Sequence, residues 1–375
     1  MRVALVHDYL IQAGGAERVV AALHRLFPEA PVFTTIADPE VVESCMPGAE
    51  IRTSWMQLLP GLRRHFRKYV LLYPAAIESL DLSGFDLVLS SSSAFAKGAV
   101  TDPGACHICY CHTPMRFGWN ADAYAAREAW GPVLQRLLPA VTERLRRWDL
   151  ATCGRPDLYL ANSSVVAGRI ARCYGRQARV VHPPVEVDRV RPSGPPGEYF
   201  LVVSRLVPYK RVDLAVEAFT RLGRPLLVIG DGPARPALER SAGPSVRFLG
   251  RLPDAVVARY YAGCRGVVFP GEEDFGIVPL EANAAGRPVI AYQAGGALDT
   301  VVEGQTGVFF QSQTVEALCQ AVGECEALAW RSGALRLHAE AFREEIFRTR
   351  ILEVVRSTLG SRTGEAWPEA LSATG

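Results

Sequence analysis

The sequence predicts an α/β protein built from two doubly wound, Rossmann-like parallel-sheet domains. Three observations predict it. Short runs rich in Val, Leu and Ile alternate with longer amphipathic stretches. The short runs are almost continuously apolar, as strands covered on both faces must be. The alternation stops at a Pro- and Gly-rich break and then restarts. A chain of 375 residues is long for one core, in keeping with two domains.

In the first half the strands read as "RVALVH", "PVFTTI", "FDLVLSSS", "HICYCH", "LYLANS" and "ARVVHPP". After the first of them, "ERVVAALHRLF" places Val19, Val20, Leu23 and Leu26 at helical spacing. The segment 182–198, "HPPVEVDRVRPSGPPGE", holds five prolines and two glycines and reads as an interdomain linker. The second half repeats the pattern with "YFLVVS", "PLLVIGDG", "VRFLG", "GVVFP", "PVIAY" and "GVFF". The expected division is a first domain over 1–185, a second over 186–345, and a C-terminal part over 346–375. In that last part "AFREEIFRTRILEVVRSTL" forms a helix crossing back to the first domain, followed by a flexible tail. Open sheets of this kind bind ligands beyond the carboxyl ends of their strands. The expected site is therefore an interdomain cleft between two facing halves.

Composition narrows the function classes. The net charge of +2 makes no electrostatic case for nucleic acid. Nine cysteines without regular spacing, and no secretory leader, suggest reduced thiols in the cytoplasm. "MRVALVHDYL" reaches Asp8 after an apolar run too short for a signal segment. No stretch approaches the roughly 18 apolar residues of a spanning helix, so a membrane would be met only at its surface.

Several segments carry chemistry. In "HDYLIQAGGAERVV", Gly14 and Gly15 lie between strand and helix, where backbone amides approach an anion closely; a plain tight turn is the alternative. The pattern is not G-x-G-x-x-G, which weakens a dehydrogenase reading. "ACHICYCH" brings Cys106, Cys109, Cys111 and His112 near one another at a spacing unlike common zinc sites. Strand alternation explains it better: Cys106, Ile108, Tyr110 and His112 share one face, and His107, Cys109 and Cys111 the other. His112 ends that strand, where either a ligand-facing or a packing histidine would stand.

"SRLVPYKRVDLAVEAF" puts Arg205 and Lys210 ahead of a helix, where the dipole favours anions. A bound diphosphate would resolve the misfit; pairing with Asp213 is the alternative. "VIGDGP" is a strand-end turn holding Gly230 and Gly232. In "GEEDFGIVPLEANAAGRP", Glu273 falls in a loop after a buried strand and Glu281 in the first turn of a helix begun near Pro279 and ended near Gly286. On one helix the two carboxylates would point about 80° apart, so they do not form a dyad. As a loop-to-helix pair they suit vicinal hydroxyls on one ligand, with the amides of Phe275, Gly276, Ile277 and Val278 beside them. Capping or solvated roles are the alternatives. Residues 55–73 set Leu62, Phe66, Tyr69 and Tyr73 near one face and Arg63, Arg64, Arg67 and Lys68 beside it. That face reads either as a contact with an anionic membrane surface or as an ordinary domain helix.

With "EEDFGIVPLEANAAGRPVIA", "GGALDTV", "SRLVPYKRVDLAVEAF" and "VIGDGP" in this order, the chain resembles the retaining glycosyltransferases of family 4, of GT-B architecture, over about residues 2–360. "YCHTPMRF", "SSSAFAKG" and "HPPVEVD" are similar to the mannosyltransferases of bacterial O-antigen and exopolysaccharide assembly. The resemblance implies that Arg205 and Lys210 hold the donor diphosphate, with Gly15 beside it. It implies that Glu281 binds the nucleotide ribose, Glu273 the transferred sugar, and that His112 lies near the reacting sugar. No D-x-D occurs, so no metal or other cofactor is expected. The implied partners are a nucleotide-sugar donor, GDP-mannose by subgroup, and a glycan or polyprenyl-diphosphate-linked acceptor. The competing expectations are a nucleotide-sugar 2-epimerase, a pyridoxal-dependent glycan phosphorylase and a non-catalytic nucleotide-sugar-binding protein.

Overall fold

The computed structural model describes residues 1–12, 14–119 and 132–363; the expected C-terminal tail lies outside the described residues beyond that point. The chain divides into two compact units, Met1–His182 together with the chain from Phe347 onward, and Pro183–Ile346. Each unit is built on a parallel sheet.

The first sheet has β1 (Val3–His7), β2 (Val32–Thr34), β3 (Ile51–Thr53), β4 (Leu87–Ser92), β5 (Cys106–Cys111), β6 (Leu158–Ala161) and β7 (Ala178–Val180), in the order β3-β2-β1-β4-β5-β6-β7. The second has β8 (Phe200–Val203), β9 (Leu226–Ile229), β10 (Val246–Gly250), β11 (Gly266–Phe269), β12 (Val289–Tyr292) and β13 (Gly307–Phe310), in the order β10-β9-β8-β11-β12-β13. Of the strands, sequence reading missed only β3, a three-residue edge strand with two exposed residues and little apolar signal. In both sheets the order reverses beside the first strand, between β1 and β4 and between β8 and β11. Ligand-binding loops of such sheets gather beyond these switch points.

Alternation puts the two faces of each strand into separate cores. Leu5 joins one apolar cluster and Ala4 and Val6 the other. On β5, Cys106, Ile108 and Tyr110 enter one cluster and Cys109 and Cys111 another, as strand geometry requires. The helix α1 (Gly15–Leu26) buries Val19, Val20 and Leu23 on the first sheet. A longer helix, α2 (Pro132–Thr152), supplies Asp149, whose carboxylate pairs at 3.0 Å with the fully buried Lys97 of the "SSSAFAKG" loop. That ion pair anchors the loop and makes Lys97 a structural residue. In the second unit α3 (Val212–Leu222) and α4 (Ile277–Ala284) cover opposite faces of the sheet. The last described helix, α5 (Glu344–Thr363), buries Phe347, Ile351, Val354 and Val355 in the first unit's core. These positions follow the i, i+4, i+7, i+8 stripe of an amphipathic helix.

The boundary between the units falls at His182/Pro183, inside the Pro-rich stretch read as a linker, and the rest of that stretch is packed: Val185, Val187 and Val190 are buried in the second unit's core, and the Val185 amide donates to the Phe342 carbonyl at 2.9 Å. Residues 55–73 are not one amphipathic helix. They break into a 3-10 turn at Trp55–Leu58, a helical turn at Leu62–His65 and a 3-10 turn at Phe66–Tyr69, because Pro60 and the left-handed Gly61 interrupt the path. Leu62 and Tyr73 are buried in the core with Phe66 and Tyr69 packed on it, and Tyr9 contacts Phe66 and Tyr73 at centroid separations of 5.5 and 6.1 Å. The exposed side chains here include Trp55, Leu58, Leu71 and Leu72 with Arg67 and Lys68, while those of Arg63 and Arg64 lie outside the described residues.

Candidate functional site

The second unit gathers charge just beyond β8 and β11, the strands that flank its switch point. Arg205 lies shortly after β8, and Lys210 closes the 3-10 turn Pro208–Lys210. The Lys210 ammonium pairs with the Glu273 carboxylate, with side chains 13% and 23% exposed. The glycine at 271 permits this approach, since a Cβ there would stand 2.8 Å from Lys210 Cα. The Gly296 amide donates to the Glu273 carbonyl at 2.8 Å and steadies the loop. Arg205 is exposed and donates to Tyr209 Oη at 3.1 Å, while Lys210 Nζ sits 5.4 Å from the same ring's centroid. Asp213, the alternative partner for these cations, is instead held by Arg211 at 3.1–3.2 Å. An ammonium has three donors, so Lys210 can keep Glu273 and still donate to an oxyanion.

Glu281 sits apart from that pair. Gly276, at φ 82°, caps α4, which begins at Ile277. The helix thus starts ahead of Pro279, and Glu281 falls in its second turn rather than its first. The Glu281 carboxylate is paired with Arg189 and accepts from Tyr261 Oη at 2.9 Å. Arg189 also pairs with Asp254. Burial and the neighbouring Glu281 charge hold the Tyr261 phenol well above its ordinary range, so it stays a donor. Phe275 is buried, Ile277 and Val278 are half-buried, and all three belong to or pack on the core beneath this surface. Gly230 packs against the loop after β8; a Cβ there would stand 1.8 Å from the Ser204 carbonyl oxygen.

The first unit gathers buried polar groups at the ends of β1, β4 and β5. His112 directly follows β5. Its amide donates to the Ser92 carbonyl at 2.8 Å, its carbonyl accepts from Asn162 at 3.1 Å, and its Nε2 lies 2.9 Å from Ser91 Oγ. His7 Nδ1 lies 3.1 Å from the Ser91 carbonyl and 3.2 Å from Ser91 Oγ. His7 Nε2 faces Glu17 Oε1 at 3.9 Å. Burial opposes charge on His7, but Glu17, Asp8 and the Ser91 carbonyl outweigh it, and the His7 pKa is raised. Burial works against charge on Glu17 as well, and His7 outweighs it, so that pKa is lowered. Asp8 accepts from four consecutive amides, Ser93 to Ala96, at 2.6–3.0 Å. Gly14 caps α1, whose first residue is Gly15, and a Cβ on Gly14 would stand 2.9 Å from Glu17 Oε2. The chain's own Glu17 carboxylate thus stands close to this helix start.

The structure thus brings Lys210 and Glu273 together, links Arg205 to Lys210 through Tyr209, and gives Glu281 its own partners. His7, Glu17, Ser91, Arg189 and Tyr261 were not among the sequence candidates. The strand-end "HD" and "SSS" and the "GGAE" helix start are visible in the sequence; Arg189 and Tyr261 leave no local signal. Among the described residues, no group of three or more His, Cys, Asp or Glu is placed to hold a metal ion, and no helix is long and apolar enough to cross a membrane.

Comparison with known proteins assigns each half to a family. Residues 13–189 match the model described as Glycosyltransferase Family 4, and residues 197–326 that described as Glycosyl transferases group 1. The GDP-mannose-dependent alpha-(1-6)-phosphatidylinositol monomannoside mannosyltransferase of Mycolicibacterium smegmatis is 30% identical over 231 residues, 53% of this chain and 59% of that protein. The chain spans between half and two thirds of the length of the first such curated relatives. Among solved structures, the sucrose-phosphate synthase of Thermosynechococcus elongatus is 18% identical with a TM-score of 0.74, covering 96% of this chain and 100% of its own. Anabaena HepE, solved with UDP and glucose, is 18% identical with a TM-score of 0.69, covering 95% and 99%. These likenesses show the GT-B fold.

Proposed function

By its two domains the chain belongs to the family 4 glycosyltransferases, and on that premise we propose that it transfers a hexose from a nucleoside diphosphate donor with retention at the anomeric carbon. The observation that carries this reading is the cluster of Arg205, Lys210 and Glu273 beyond the switch point of the second sheet. Arg205 and Lys210 bind the donor diphosphate and stabilise the charge it gains on leaving. Glu273, held by Lys210, accepts from hydroxyls of the transferred sugar. Glu281, oriented by Arg189 and Tyr261, accepts from the ribose hydroxyls. His112 contributes a polar contact to the sugar from the first unit.

The step breaks the bond between the anomeric carbon and the phosphate oxygen, and the electron pair stays on the diphosphate. The acceptor hydroxyl attacks from the same face, and its proton passes to the departing phosphate oxygen. No carboxylate nucleophile and no resident metal is assigned a role.

The proposed donor is GDP-mannose, supported by the mannosyltransferase relative and by the motif likeness. The proposed acceptor is a glycan or a lipid-linked glycan of cell-surface polysaccharide assembly. Exposed Trp55, Leu58, Leu71 and Leu72 beside Arg67 and Lys68 support peripheral contact with an anionic membrane at the cytoplasmic face. Incubation with a panel of nucleotide sugars and acceptors, followed by NMR of the product linkage, tests the reading. An α-linked mannoside from an α-linked donor is expected; an inverted linkage overturns the retaining assignment.

A further inference from the structure

We propose that Glu17, His7 and Ser91 form a positioning relay that fixes the tautomer of His112, holding its proton on Nδ1 so that it acts as a hydrogen-bond donor and not as a general base. The catalytic meaning of this relay rests on the role given to His112 above; the relay itself does not.

The protons follow from which partners only accept. His7 Nδ1 lies 3.1 Å from the Ser91 carbonyl oxygen, which has no proton to give, so Nδ1 carries one. His7 Nε2 faces the Glu17 carboxylate at 3.9 Å, beyond hydrogen-bond reach, and the carboxylate favours a second proton there by its charge. His7 is then an imidazolium, neutralised by Glu17, and the raised pKa of His7 and lowered pKa of Glu17 agree. Ser91 Oγ, 3.2 Å from His7 Nδ1, receives there and cannot donate. Its single hydrogen therefore goes to His112 Nε2 at 2.9 Å. A neutral imidazole that accepts at Nε2 holds its proton at Nδ1.

The surroundings keep the relay in place. His7, Glu17 and Ser91 are all nearly or fully buried, and His112 is 9% exposed. The charged groups around His7 are Glu17 from α1 and Asp8 from the end of β1, and Asp8 is already engaged by four amides. The Tyr110 ring meets the His112 ring edge-on at 5.2 Å and limits its rotation. The glycine at 14 leaves room for the Glu17 carboxylate. The relay thus gives a purpose to the "HD" and "SSS" segments and to Glu17 of "GGAE", which the donor-binding reading leaves unused.

Long-range proton–nitrogen correlation NMR on the full chain with labelled histidine tests this. The expected spectrum has His112 with a protonated Nδ1 and a bare Nε2, and His7 with both nitrogens protonated at neutral pH. Removing the hydroxyl with Ser91→Ala should move His112 toward the Nε2-protonated form and lower kcat by about tenfold with little change in KM for the donor. Ser91→Thr should restore both. A protonated Nε2 on His112 in the unaltered protein, or a His112 spectrum indifferent to Ser91→Ala, overturns the relay. The expected spectrum from a protein that transfers no sugar overturns the functional reading instead and leaves the relay standing.

Discussion

The two units share a topology and use it differently. Both are parallel sheets whose order reverses beside the first strand, and both place their polar residues beyond that reversal. In the first unit those residues are buried, with His7 and His112 on Ser91 and Asp8 on four backbone amides. In the second they are held in ion pairs, the partly exposed Lys210 with Glu273 and the buried Glu281 with Arg189. Burial fixes protonation and orientation but leaves little capacity for a charged ligand. A partly exposed ammonium such as that of Lys210 keeps donors to spare, which is why the proposed anion site is placed in the second unit and the rigid polar cluster in the first.

The sharpest way to break this contrast is Lys210→Ala. If the second unit is the anion site, turnover should fall by about 100- to 1000-fold, since a donor aimed at developing charge is lost. Steady-state assays with the nucleotide sugar measure it, and near-normal turnover would remove the diphosphate clamp.

A second prediction concerns the buried side. His107 is buried with its Nε2 2.7 Å from Ser90 Oγ, and burial lowers its pKa to about 4 from 6.5. The unfolded chain takes up this proton first as pH falls. The stability that neutral His107 contributes is fully present above pH 6.5 and is lost toward pH 4. The loss amounts to about 3 kcal/mol at the lower end. Denaturant titrations from neutral to acid pH should show it, and His107→Gln should flatten the slope. His7 runs the other way: its raised pKa gives stability that is present below pH 6.5 and lost as pH rises through its folded value.

The smallest expected effect is Glu281→Gln. It keeps the shape but removes the charge facing Arg189, and nucleotide affinity should weaken by about tenfold, as for loss of one charge-assisted hydrogen bond. Calorimetric titration with the nucleoside diphosphate checks this. Unchanged affinity would return Glu281 to a purely structural role as the anchor of Arg189.

Much of this molecule is legible in its sequence. Apolar runs and helical stripes mark two α/β halves, because burial on both faces of a parallel strand leaves a continuous apolar signature. The order of "SRLVPYK", "GEEDFG" and "LEANAAG" marks the candidate donor side, because strand-end loops hold those residues whatever the packing. What the sequence cannot show is which side chains meet. His7 and Ser91 stand 84 residues apart and become neighbours only because β1 pairs β4 in a register that sets them side by side. Lys210 reaches Glu273 because β8 and β11 are adjacent, and Arg189 reaches Glu281 because the Pro-rich stretch after His182 packs into the second core. Local periodicity reports only which face a residue takes. Strand order and register are properties of the packed sheet, and they alone brought scattered polar residues together, as a buried cluster in one unit and as ion pairs beyond the switch point in the other.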